Sequence, residues 1–90
     1  MDNIYIVSFE IITTNGIEIH EKCYCDTIET SKVLFNKSKN KGKEIIDKCS
    51  CTPTITEEDT ETSFVYSDGG YGNYFILKIF KKPIFTMEDV

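Results

Sequence analysis

The strongest constraint on the fold is the pair of alternating runs on either side of Asn15-Gly16. Ile4 to Ile12 places Tyr5, Val7, Phe9 and Ile11 on one face and Ile4, Ile6, Ser8 and Glu10 on the other, the period of an extended strand. Ile17 to Cys25 returns as a second strand, and the turn decides which side chains meet. A two-residue Asn15-Gly16 loop pairs Thr14 with Ile17 and brings Glu18, His20 and Lys22 onto the face of Tyr5, Val7 and Phe9. A three-residue loop, Thr14-Asn15-Gly16, pairs Thr13 with Ile17, so that Ile11 meets Ile19, Val7 meets Cys23 and Tyr5 meets Cys25. A one-residue slip turns every side chain to the other face, so the apolar match selects the three-residue loop. Gly16 then takes its left-handed third position.

Beyond the hairpin, Asp26 and Glu29 have the spacing of a capping box. They predict a helix over Thr27 to Lys48. Ile28, Ser31, Phe35, Ser38, Gly42, Ile45 and Cys49 make one stripe, flanked by Val33, Leu34 and Ile46, that faces a sheet. Gly42 either lets the sheet approach closely or kinks or ends the helix. Lys37, Lys39, Lys41 and Lys43 form a solvated face. Pro53 within Thr52 to Thr56 predicts an edge strand, Glu57 to Glu61 a turn, Ser63 to Ser67 a strand, and Asp68 to Asn73 a glycine-rich, flexible hairpin loop. Tyr74 to Lys81 is apolar on both faces and belongs at the centre of the sheet; Pro83 ends it, and Pro83 to Val90 is a tail. The order ββαββ or ββαβββ implies an α+β two-layer sandwich: one antiparallel sheet of four to five strands with a single helix packed across one face. Ninety residues leave room for one domain, 1–90.

Charge narrows the function classes. The net charge is −5, and all ten basic residues are lysine. Arginine, the usual carrier of bidentate phosphate and guanine contacts, is absent, which argues against direct nucleic-acid binding. A basic partner surface suits the chain better. Thr27 to Ser50 holds six lysines against three carboxylates, whereas the remainder holds four against twelve, so the helix is basic and the rest strongly acidic. No apolar run approaches the roughly 20 residues of a membrane span. No basic start followed by an apolar segment marks a signal peptide, so the expectation is the reducing cytoplasm of a host cell and free thiols.

The chemistry-bearing residue types are few. Cys23/Cys25 and Cys49/Cys51 invite a four-thiolate zinc site, but structural zinc favours Cys-x2–4-Cys spacing. A continuous helix also holds the two pairs roughly 33 Å apart. Small core residues are the ordinary reading of Cys23, Cys25 and Cys49. His20, the only histidine, lies on the face opposite Cys23 and Cys25, so no Cys–His nucleophile pair forms. The loop Gly69-Gly70-Tyr71-Gly72 lacks the lysine and the following helix of a phosphate cradle. What remains is contact: Glu57, Glu58, Asp59 and Glu61 as an acidic patch, with Asp68 and Tyr71 on the glycine-rich loop and Tyr74 directly after it.

In style the chain resembles the small acidic accessory proteins of phages and mobile elements, including anti-CRISPR inhibitors; no particular residue carries that likeness. The resemblance implies a non-enzymatic, cofactor-free, stoichiometric inhibitor that occupies a basic, nucleic-acid-binding surface of a bacterial defence protein such as a Cas effector. The other readings are a homodimeric structural or assembly protein pairing through a sheet edge, and a zinc-stabilised small domain held by Cys23, Cys25, Cys49 and Cys51. The expected outcome for the thiols is four reactive groups in denaturant and no bound metal; stoichiometric zinc in the purified protein contradicts this.

Overall fold

The computed structural model describes residues 3–83, in the order β1 (Asn3–Ile12), β2 (Glu18–Cys25), α1 (Ile28–Cys49), β3 (Ile55–Asp59), β4 (Ser63–Ser67) and β5 (Tyr74–Pro83). The strands form one antiparallel five-stranded sheet, β2-β1-β5-β4-β3, with α1 across one face. This is the expected α+β two-layer arrangement with three strands after the helix. The apolar run from Tyr74 is central, between β1 and β4, and continues to Pro83. From residue 84 onward the expected tail lies outside the described residues.

The first hairpin has the register that the apolar match selects. Tyr5 faces Cys25, Val7 faces Cys23 and Ile11 faces Ile19. The Thr13 N–H donates to the Ile17 carbonyl at 2.9 Å, and Gly16 has φ 92°. Val7, Phe9 and Ile11 are consequently buried against the helix side.

The helix starts one residue later than the capping-box spacing predicts. Thr27, not Asp26, is the cap: its backbone is extended, and its Oγ1 accepts from the Thr30 N–H at 3.2 Å. A hydroxyl at this position reaches the third helical amide directly. The Ser50 N–H closes the far end on the Ile46 carbonyl at 2.9 Å. Glu29 in the first turn and Lys48 in the last both complement the helix dipole.

Twenty-two residues run unbroken through Gly42. A Cβ built at Gly42 would overlap the ring of Phe75, so the missing side chain is what lets α1 sit down on the central strand. Phe75 is fully buried, in contact with the ring of Phe9 at 5.0 Å and that of Phe64 at 6.0 Å between centroids. Burying such a ring contributes about 1.5–3 kcal/mol. That outweighs the roughly 1 kcal/mol that glycine costs within a helix.

The helix surface and the connection to β3 depart from expectation at three points. Val33 is exposed rather than part of the buried stripe. It lies two residues beyond buried Ser31, a step that turns it away from the sheet. Lys39 and Lys43 are not simply solvated: the Lys39 ammonium lies 4.9 Å from the Phe64 ring centre and the Lys43 ammonium 5.4 Å from that of Tyr66. Their stems cover the aromatic margin where helix meets sheet. Thr52 to Thr54 is connection rather than strand, because hydroxyls there bond to neighbouring groups instead: Thr54 Oγ1 to the Tyr66 hydroxyl at 2.6 Å, and Thr52 Oγ1 to the Asp68 carbonyl at 3.4 Å.

Gly42→Ala tests the close approach, since on an open helix the change stabilises by about 1 kcal/mol. Here overpacking against Phe75 should reverse the sign and destabilise by about 1–3 kcal/mol in urea unfolding. Adding Phe75→Leu should recover part of that loss.

Candidate functional site

The acidic residues are placed differently from the turn that the sequence predicts. Glu57, Glu58 and Asp59 lie in β3, an exposed edge strand with an irregularity between Thr56 and Glu58. Only Glu61 sits in the turn, which the Thr60 hydroxyl shapes by accepting from the Ser63 N–H at 3.0 Å and the Thr62 N–H at 3.3 Å. Strand propensity argued against three consecutive acids. At an exposed edge there is no burial to oppose them, and pairing with β4 proceeds through the backbone.

The four acids do not act as one patch. Asp59 points to the helix side and pairs with Lys39 at 3.1 Å, and Glu61 approaches Lys32 at 3.6 Å. Among the described residues Glu57 and Glu58 have no such ion pair. Glu58 faces Val65 on the side of the sheet that α1 leaves open. Glu57 lines a shallow depression of about 420 Å³ there, with Val65, Gly70, Tyr74 and Ile76. The structure thus brings Glu57 and Tyr74 to one concavity.

The glycine-rich loop is built around a buried carboxylate. Asp68 is 2 % exposed, so it does not present its charge at the surface as a contact residue would. Its Oδ1 accepts from the Tyr71 N–H at 3.1 Å and the Asn73 N–H at 3.3 Å, and its Oδ2 from the Asn73 side chain at 2.6 Å. Asn73 in turn accepts from the Thr14 N–H at 2.9 Å, tying this loop to the β1–β2 turn. The flexible loop expected from the glycines is therefore a bonded one. Burial alone would push the Asp68 carboxyl up, but the hydrogen bonds from Asn73 and Tyr71 outweigh it and hold it below the usual carboxylate range. Tyr71 stands out from this frame, 69 % exposed. Aspartate and asparagine bracketing a glycine run is the sequence signal for such a turn.

A second polar link went unread in the sequence. The Tyr66 hydroxyl donates to Asp47 on α1 at 2.6 Å. Burial, with Asp47 adding to it, pushes the Tyr66 hydroxyl up.

The cysteine pairs sit at opposite ends of the unbroken helix, Cys25 just before it and Cys49 in its last turn. No cluster of three or more histidine, cysteine or acidic side chains is arranged to hold a metal ion among the described residues. His20 lies on the open sheet face, 3.0 Å from Glu18 and 3.4 Å from Glu10, while Cys23 and Cys25 point to the helix side. Burial, with Cys23 and Asp26 nearby, pushes the Cys25 thiol up. No protein-family model, no curated protein and no solved structure matches the chain.

In the folded protein, iodoacetamide should modify exposed Cys23 and Cys51 well before Cys25, as read by peptide mass mapping. Asp68 has a lowered folded pKa, so its stabilisation is complete above its unfolded value of about 4 and is lost as pH falls through the folded value. Asp68→Ala should therefore be less stable than the parent at neutral pH in urea unfolding, and the gap should narrow in acid.

Proposed function

We propose that this protein is a non-enzymatic binding module whose acidic edge and tyrosine loop engage a basic surface on a partner protein. The observation that carries this reading is the pairing of two carboxylates without an ion pair among the described residues, Glu57 and Glu58, with an open apolar depression and an exposed tyrosine on a braced loop. Charge at an interface rim chiefly speeds encounter and weakens with salt. Buried aromatic contact chiefly slows release. Both elements lie at the β3–β4 side of the sheet, within the span of a standard interface of about 800 Å² per partner.

The partner class is a protein that binds nucleic acid through a basic groove. Closely spaced carboxylates along an extended edge resemble backbone phosphates in charge, and the chain's −5 net charge favours approach to such a groove. In line with its likeness to phage accessory proteins, the chain would act as a stoichiometric inhibitor of a bacterial defence protein, a Cas effector being one candidate.

Affinity capture from a bacterial lysate with mass spectrometry supplies the partner, and kinetics on the purified pair supply the test. Glu57→Lys with Glu58→Lys should slow association about tenfold and flatten its salt dependence. Asp59→Lys with Glu61→Lys should do less, because those acids already face lysines. Tyr71→Ala should raise the dissociation rate about tenfold, and nucleic acid should compete with binding. Parent-like kinetics for Glu57→Lys with Glu58→Lys and for Tyr71→Ala, together with loss of binding on reversing Lys37 and Lys41, would place the surface on the helix instead.

A further inference from the structure

The other edge of the sheet carries different chemistry. β2 spans eight residues without proline, glycine or bulge, and among the described residues no strand lies outside it. The Thr13–Ile17 bond sets the alternation of the first hairpin: Ile19, Glu21 and Cys23 direct their backbone groups to β1, and Glu18, His20, Lys22 and Tyr24 direct theirs outward. Among the described residues, those outward groups meet no other strand.

We propose that the β2 edge pairs antiparallel with the β2 edge of a second copy of this chain, about a two-fold axis through His20. This goes beyond the partner-binding reading and uses the opposite side of the sheet. The free groups belong to even-numbered residues in both copies, so pairs must join even with even, and both helices then lie on the same side of one continuous sheet.

Charge selects the register. With His20 opposite His20, Glu18 of each copy faces Lys22 of the other, giving two symmetric ion pairs and about six main-chain hydrogen bonds. On the helix side the same register sets Ile17 opposite Cys23 and Ile19 opposite Glu21. It also sets Tyr24, 65 % exposed in the single chain, opposite Gly16, where space for a side chain is open. Shifting so that residue 21 lies on the axis sets Glu21 against Glu21. Shifting so that residue 22 lies there sets Lys22 against Lys22. The opposite shift shortens the ladder. Self-pairing of β3 would instead bring Glu57, Glu58 and Asp59 against their own copies across an irregular strand. The dimer therefore forms through β2 and carries an acidic β3 edge at each end.

Sedimentation velocity on the purified protein under reducing conditions tests this without any partner, so its outcome is separable from that of the binding reading. Edge pairing buries less than a standard interface of about 800 Å² per partner, so a dimer should appear as concentration rises towards about 0.5 mM. Glu18→Lys and Lys22→Glu, each with unchanged circular dichroism, should shift the protein to monomer by at least tenfold in dissociation constant. The double variant Glu18→Lys with Lys22→Glu should restore the dimer. A parent that stays monomeric at that concentration, single variants that associate like the parent, or a double variant that fails to recover each overturns the proposal.

Discussion

The contact on which the rest of this structure depends is the seating of Gly42 over the ring of Phe75. A two-layer fold of this size has one helix with which to cover a five-stranded sheet. The closer that helix approaches, the more of the aromatic cluster it excludes from water. Phe35 and Ile46 from α1 close over Phe9, Phe64, Phe75 and Leu77, and the stems of Lys39 and Lys43 seal the margin. Because one helix covers one face, the opposite face and both edges stay open among the described residues. The proposed interactions use those open edges.

The hairpin register, the central strand and the basic helix were legible because each rests on apolar periodicity or on the cost of burying charge. Glu18, His20 and Lys22 could not face the core, and that alone settled the β1–β2 turn. The position of β3 was not legible, because an exposed edge strand obeys no burial pattern and three acids read as a turn. The role of Asp68 was hidden for the converse reason. Its charge suggested the surface, but its partners, Asn73 and the backbone of Tyr71, are fixed only once the loop closes. Of the contact residues expected from the sequence, Glu57, Glu58, Tyr71 and Tyr74 stand where a partner can reach them. Asp59 and Glu61 face lysines of the helix, and Asp68 holds the loop.

The two edges divide the chemistry of the sheet. At β3 the carboxylates would repel a like copy and, under the proposed function, favour a basic partner, while the braced loop beside it would offer an exposed tyrosine without ordering a long segment on binding. At β2 alternating charge makes the strand complementary to itself. A dimer through β2 would hold two acidic edges in a fixed relation, so that one assembly presents two binding surfaces and gains from effective concentration on a repetitive or dimeric target. The link from sequence to function thus passes through placement more than through residue type, because the same acidic side chain acts differently at an edge, against a lysine, or buried in a loop.

The seating of the helix as one unbroken rod is most directly tested by native-state amide hydrogen exchange, resolved residue by residue along α1. A helix closed on the sheet at Gly42 predicts slow exchange continuing from Phe35 through Ile46, with the Gly42, Ile45 and Ile46 amides approaching the protection of the β5 amides around Phe75. Fast exchange confined to Lys41 through Lys43, between two protected halves, would mean that the helix breaks at Gly42. That result would contradict the account of what holds the two layers together.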